Sequence, residues 1–288
     1  MAFEFRLFSD VKGELLECPV WDDRRNSLFC CDIVGRAIFQ VSFEGLLINQ
    51  WQFDSEVASF GLCESGRLVV ALAREVVIFD PETSQRTHLW SGYDELPTSR
   101  LNDGKVGPDG AFWVGGMDGR SEREPVSNLY RVTADGHAQI KVEGIKISNG
   151  LAWSQSGKTM YHSDSRAPWL DRYDFDSSTA VMSNRRRLIE FTEELGRPDG
   201  AAIDQEGFYW SAGVSAGVLN RIDPNGKIVE THKVPVPAPT MPCFVGPGLK
   251  QIIITSHSQT DVSNELSGRL FISNSPVAGV AVHRMRGV

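Results

Sequence analysis

Four short segments each set an oxygen-bearing side chain at the head of an apolar run: Glu17-Cys-Pro-Val-Trp, Asn102-Asp-Gly-Lys-Val, Asn149-Gly-Leu-Ala-Trp and Asp199-Gly-Ala-Ala-Ile. In the last three the polar residue stands eight positions before a glycine (Gly110, Gly157, Gly207), with an apolar residue four positions after it. Carboxylate and amide oxygens without histidine or cysteine are hard donors, the kind that hold Ca²⁺, Mg²⁺ or Mn²⁺. Zn²⁺ also accepts carboxylates, so the donor types rank these ions without selecting one. A few protein ligands leave positions open for water and substrate, the form of a catalytic centre. Taken singly, an Asn-Gly or Asp-Gly pair is usually a turn and a lone glutamate an exposed charge. The repeated register is what favours one shared metal site.

Such a register needs a repeating frame. Apolar second-strand segments begin near Leu28, Leu68, Phe112, Met160, Phe208 and Ile252. Their spacing of about 40 to 48 residues is the period of propeller blades. A third run and a turn follow most of them, as in AIFQVSFEG and VLNRIDPNG, with turn residues that tolerate hairpin dihedrals. The expected fold is all-β: a six-bladed β-propeller with four-stranded blades, occupying residues 1–288 as one domain. A sandwich or barrel has no reason to repeat a ligand register. Aligned on the innermost strands, the register position holds Glu17, Ala58, Asn102, Asn149, Asp199 and Met241, all expected at one mouth of the channel. Val234-Pro-Val-Pro-Ala-Pro-Thr reads as an extended connection into the last blade.

Composition narrows the partners. A chain of 288 residues with 41% hydrophobic and 23% charged residues can bury a sizeable core. Its net charge of −8, with no basic run interleaved with aromatics, argues against a nucleic-acid partner. No apolar run approaches the ~20 residues that span a bilayer, so no membrane partner is expected, and the first residues carry no apolar leader. Five cysteines without a CxxC spacing suit neither a disulfide framework nor a thiolate zinc site, and a reducing, cytoplasmic setting is expected. No HExxH segment occurs. Arg185-Arg186-Arg187 reads as a solvated run, and Trp21, Trp113, Trp153 and Trp210 as core. Trp169 reads as a pocket lid, while His162 and His257 are candidates to face the channel. The oligomeric state is open.

Glu17-Cys-Pro-Val-Trp-Asp, Arg100-Leu-Asn-Asp-Gly-Lys, Ser148-Asn-Gly-Leu-Ala-Trp-Ser and Arg197-Pro-Asp-Gly-Ala-Ala-Ile-Asp resemble, in order, the signature segments of the gluconolactonase, regucalcin (senescence marker protein) and luciferin-regenerating family. The resemblance implies a six-bladed propeller with one divalent cation and hydrolysis of a sugar lactone. It implies Glu17, Asn149 and Asp199 as metal ligands, with Arg100 and Asn102 on the substrate. Cys18 departs from the glycine or serine usual after the family's glutamate. An acidic substrate contact used by some members falls shortly after Met117, where Asp118 or Glu122 could serve. The expected chemistry is metal-assisted ester hydrolysis: the cation polarises the lactone carbonyl and Asp199 positions or activates water. A related esterase or phosphotriesterase and a non-enzymatic calcium-binding regulator are the alternatives. Arg120, Arg123, Arg166 and Arg197 lie near the motifs and could receive an acidic substituent, or serve as surface ion pairs.

Overall fold

In the computed structural model, residues 3–91, 98–258 and 264–288 are described. Their strands form six four-stranded antiparallel sheets, the blades of a six-bladed β-propeller. The innermost strands are Leu16–Asp22, Val57–Leu62, Arg100–Val106, Ser148–Trp153, Arg197–Ile203 and Pro239–Val245. Each pairs with a wholly or almost wholly buried second strand: Ser27–Asp32, Leu68–Leu72, Phe112–Met117, Thr159–Asp164, Tyr209–Val214 and Gln251–Ser256. These are the apolar runs that set the period in the sequence. They are apolar on both faces because each blade is sandwiched between two others.

Six apolar clusters fill the six interfaces between neighbouring blades. Strand alternation divides each blade between its neighbours. Phe29 and Cys31 pack toward the second blade, whereas Leu28 and Cys30 pack toward the sixth. Adjacent Cys30 and Cys31 therefore face opposite ways, and all five cysteines are free and buried. Trp21, Trp113, Trp153 and Trp210 are core residues, each at most 4% exposed. Outer strands such as Leu47–Gln52 and Val181–Glu190 are mostly exposed, which accounts for their polar composition.

The ring does not close as six sequential units. The sixth blade takes its outermost strand from the other end of the chain, where Arg6–Leu7 pairs antiparallel with Phe271–Asn274. Phe5 buries behind this strand, and Phe3 stacks on the His232 ring at 3.9 Å. The Pro-rich segment enters the sixth blade as an extended connection, ending in Pro239–Val245. The chain then crosses the far end of the central channel, where Val280 N donates to Ile203 O (3.0 Å) and Met285 N to Leu62 O (2.8 Å). Val280 to His283 line a small cavity of about 60 Å³ there with Lys105 and Met241. No helix among the described residues is long and apolar enough to cross a membrane.

Two local expectations change. Arg185 and Arg187 are not free in solvent: both ion-pair with the buried Asp171 carboxylate and lie over the Trp169 ring. Trp169 is accordingly buried beneath them, edge-on to the His162 ring at 5.5 Å, and is not a lid. The middle residue, Arg186, is exposed and by strand alternation falls on the opposite face from Arg185 and Arg187.

Candidate active site

Every innermost strand carries a register shift of the bulge type at the same level: Glu17/Val20, Val57/Ser59, Leu101/Gly104, Asn149/Ala152, Pro198/Ala201 and Pro239/Pro242. A bulge inserts one residue against the partner strand, bends the chain and re-aims side chains. Downstream of it in four blades, Gly66, Gly110, Gly157 and Gly207 close the hairpin with positive φ, which glycine adopts without steric cost. The eight-residue spacing in the sequence is thus the distance from a bulge at the channel mouth to the turn at the far end of the strand.

The bulges surround a cavity of about 450 Å³ lined by Glu17, Ala58, Arg100, Asn102, Asp103, Asn149, Asp199, His257 and other residues. Five of the six register residues meet there. Met241 does not: it packs over Gly200, whose added Cβ would lie 2.3 Å from the Met241 side chain, and it lines the small far cavity instead. In its place the sixth blade contributes His257. His162 stays in the core, its Nε2 2.9 Å from Ser148 Oγ, and is absent from the cavity wall.

A relay of hydrogen bonds fixes the amides. Arg100 donates to Asn102 Oδ1 (2.9 Å) and to Leu101 O (2.7 Å), with Glu56 3.7 Å from its Nε. Asn102 Nδ2 donates to Ser148 O (2.9 Å) and reaches Asn149 Oδ1 (3.4 Å). Asn149 Nδ2 donates to Ser165 Oγ (2.6 Å), which in turn donates to Pro198 O (2.5 Å). The third, fourth and fifth blades are thereby tied together, and Asn149 is held in the cavity wall. Gly150, at φ 64°, makes this approach possible: a Cβ there would lie 2.2 Å from the Tyr209 hydroxyl, which donates to Gly150 O.

The carboxylates are crowded. Burial, then the charges of Asp199 and Asp103, pushes Glu17 well above the usual carboxylate range, although Cys18 N donates to its Oε2 at 2.8 Å. Burial and the Asp103 charge push Asp199 up to about 8, against the opposing pull of Arg197. Asp103, which the sequence reading assigned no role, is itself raised by burial, opposed first by Lys105. Its Oδ2 accepts from Leu151 N (3.2 Å) and its Oδ1 is buried without a hydrogen-bond partner. Adjacent residues on a regular strand point to opposite faces, so Asn102 leaves no sign that Asp103 also reaches the cavity. The bulge at Leu101/Gly104 is what brings both to it.

Asp118 is not brought to this cavity. Its carboxylate is fully buried and taken by Arg120 Nε (3.0 Å to either oxygen) and by the Glu124 amide (2.7 Å). The Arg120 guanidinium holds its carboxyl down at about 2. It is a loop anchor, and its neighbours Met117, Ser121 and Arg123 line the cavity in its stead. Glu122 is exposed, accepting from Ser121 Oγ.

Among the described residues no group of three or more His, Cys, Asp or Glu side chains is arranged to hold a metal ion. A cation in this cavity would be held by the mixed oxygen set of Glu17, Asp199 and the Asn149 amide, in the manner of hard divalent ions. Two observations fit such a guest. Burial and mutual repulsion disfavour the charged form of the crowded carboxylates, which a cation would relieve, and the Asp103 oxygen lacks a partner.

Fold and site together define a class: a six-bladed propeller whose inner-strand bulges gather carboxylates, amides and arginines in one axial cavity. The chain belongs to the SMP-30/gluconolactonase/LRE-like family, whose model matches residues 15–258. It is 34% identical over 271 residues to a 6-deoxy-6-sulfogluconolactonase of Pseudomonas putida, covering 92% of each chain. It is 33% identical to regucalcin of Gallus gallus, covering 91% of this chain and 88% of that one. Its fold matches a solved calcium-binding protein, regucalcin, of Agrobacterium tumefaciens with a TM-score of 0.91 at 24% identity, over 99% and 98% of the two chains.

Proposed function

We propose that the protein is a metal-dependent hydrolase that opens a sugar lactone to the corresponding sugar acid. The observation that carries this reading is the convergence of Glu17, Asn149 and Asp199 with Arg100 and Asn102 in one cavity. Family membership and the sulfogluconolactonase relative support the same reaction class. The cavity falls in the size range of small-molecule sites.

Glu17, Asn149 and Asp199 would hold one divalent cation, Ca²⁺, Mg²⁺, Mn²⁺ or Zn²⁺. When bound it supplies Lewis-acid polarisation of an ester carbonyl and stabilisation of the charge that develops there. Arg100, its fork of donors already aimed by Asn102, hydrogen-bonds sugar hydroxyls and fixes the ring against the carboxylates. Asp199 orients the attacking water and accepts its proton as the new carbon–oxygen bond forms. The bond between the carbonyl carbon and the ring oxygen then breaks. The ring oxygen leaves with the proton from Asp199, and the product is a hydroxy acid. The far end of the channel is crossed by the C-terminal segment, so substrate enters at the mouth where the bulges lie.

The test is initial-rate hydrolysis of a lactone panel by chelator-stripped protein, then after adding each of the four cations in turn. Cation-dependent turnover above spontaneous opening is expected. Folded protein with no rate above background under any cation overturns the reading. The regucalcin relative raises a second reading, a calcium-binding protein without an enzymatic role. Against it stands Arg100, a substrate-side donor that a calcium buffer has no use for.

A further inference from the structure

The cavity holds more positive charge than lactone opening uses. Arg123, Arg166 and Arg197 line it together with Arg100. They come from three successive blades. Arg123 lies in the loop after Phe112–Met117, Arg166 in the turn after Thr159–Asp164, and Arg197 begins the strand Arg197–Ile203. Arg100 is held by Asn102, Leu101 and Glu56 in the orientation assigned above to the sugar hydroxyls, and Arg123 donates to the Asp118 carbonyl.

Arg166 and Arg197 differ. Among the described residues neither guanidinium has a hydrogen bond or an ion pair at contact distance. Elsewhere the common pattern is a guanidinium with a carboxylate against it: Arg120 with Asp118, Arg131 with Asp109, Arg185 and Arg187 with Asp171, Arg221 with Asp204, Arg284 with Asp22. Arg166 and Arg197, the two cavity arginines whose guanidiniums have neither a carboxylate nor a carbonyl partner, are exposed at the wall of the same pocket that holds Glu17, Asp103 and Asp199. A bound divalent cation offsets most of the charge of those carboxylates, leaving the guanidiniums in excess.

Resting on the lactonase reading, we propose that the substrate is an anionic sugar lactone. Its oxyanion, a carboxylate, phosphate or sulfonate, sits at the end of the sugar remote from the ester carbonyl, and Arg166 and Arg197 receive it. A ring with its carbonyl against Glu17 and Asp199 directs its remote carbon away from the carboxylates. The planar fork of an arginine matches the paired oxygens of such groups, and a charge-assisted contact is stronger than one to a neutral hydroxyl. Arg123 adds like charge at the wall.

The test compares kcat/KM for a neutral aldonolactone with lactones of the same ring bearing a terminal carboxylate, phosphate or sulfonate. At least one anionic lactone should exceed the neutral one by tenfold or more, with the gain in KM and a decline as salt rises. Which anion wins identifies the source. Arg166→Gln should lower kcat/KM for that lactone on the order of tenfold more than for the neutral one. Arg197→Gln should do likewise, while Arg186→Gln, on the exposed strand Val181–Glu190, should change none of the rates. Calorimetric binding of an aldonic acid with a terminal phosphate, weakened in Arg166→Gln, gives a readout apart from turnover. A neutral lactone turned over as well as every anionic one, or arginine variants that lower all rates alike, overturns the proposal. If no lactone is turned over, the hydrolase reading fails by itself. Calorimetry then still decides the anion subsite: binding lost in Arg166→Gln upholds it, and no binding to the unaltered protein overturns it.

Discussion

Asp103 and Asp118 show how far single residues can be read. Both are acidic and both stand near a signature segment, yet only Asp103 reaches the cavity. What separates them is a partner: Arg120 neutralises Asp118 inside its own loop, whereas one Asp103 oxygen has none. At Asp199 the proposed role predicts that Asp199→Asn lowers kcat at least a hundredfold, with an unchanged far-ultraviolet spectrum, as steady-state kinetics on the best lactone would show. Retained kcat would remove Asp199 from the chemistry. His162 permits a prediction about pH. Burial lowers it from 6.5 to about 4, with Asp171 opposing, so the folded protein keeps it neutral. Between those values the unfolded chain binds a proton that the folded chain refuses. Its contribution is therefore fully present above pH 6.5 and is lost as pH falls toward 4, by up to roughly 3 kcal/mol. Denaturant midpoints at pH 7 and 5 should diverge less in His162→Gln than in the unaltered protein, and equal divergence would refute this.

At the level of elements, the inner strand with its bulge is the working unit. The sequence showed where these strands run, because apolar second strands and turn glycines punctuate them. It did not show the bulge, which is a property of pairing between two strands and not of either one alone. For that reason Asn102 was legible and its neighbour Asp103 was not. Met241 follows the same rule. The strand pairing sets Pro239 against Ser256 as it sets Pro198 against Gly213, so Thr240 is the counterpart of Asp199 and Met241 that of Gly200. Only the pairing reveals this offset of one residue. The fourth blade offers the sharpest check. Gly150→Ala places a Cβ where φ is 64° and the Tyr209 hydroxyl is 2.2 Å away. The substitution should destabilise the protein by about 2 kcal/mol or more, since both strain and a clash must be relieved. It should also impair lactone turnover by shifting Asn149. Urea unfolding and kinetics on the same sample check both, and a stability within experimental error of the parent would contradict the packing described.

On the scale of the whole molecule, the site belongs to no single blade. Glu17 comes from the first blade, Asn149 from the fourth and Asp199 from the fifth, so a cation bound to all three clasps the ring across its axis. Ligand binding confined to the native state raises stability by about 2.7 kcal/mol at a hundredfold excess over Kd. The preferred cation should thus raise Tm by several degrees over the chelated protein and do so far less in Asp199→Asn. Thermal scans with each cation that show no shift would argue against a resident metal. The amino-acid sequence by itself determined the all-β character, the blade period and four of the polar positions, because strand periodicity, turn chemistry and register are local and leave marks along the chain. Only the tertiary structure decided the rest. Closure of the sixth blade by Arg6–Leu7 joins the two ends of the chain, and nothing local to either end announces the other. Arg185 and Arg187 became a clamp on Asp171, and Arg166 and Arg197 were left facing the cavity, because whether a charge finds a partner depends on which distant strands pack beside it.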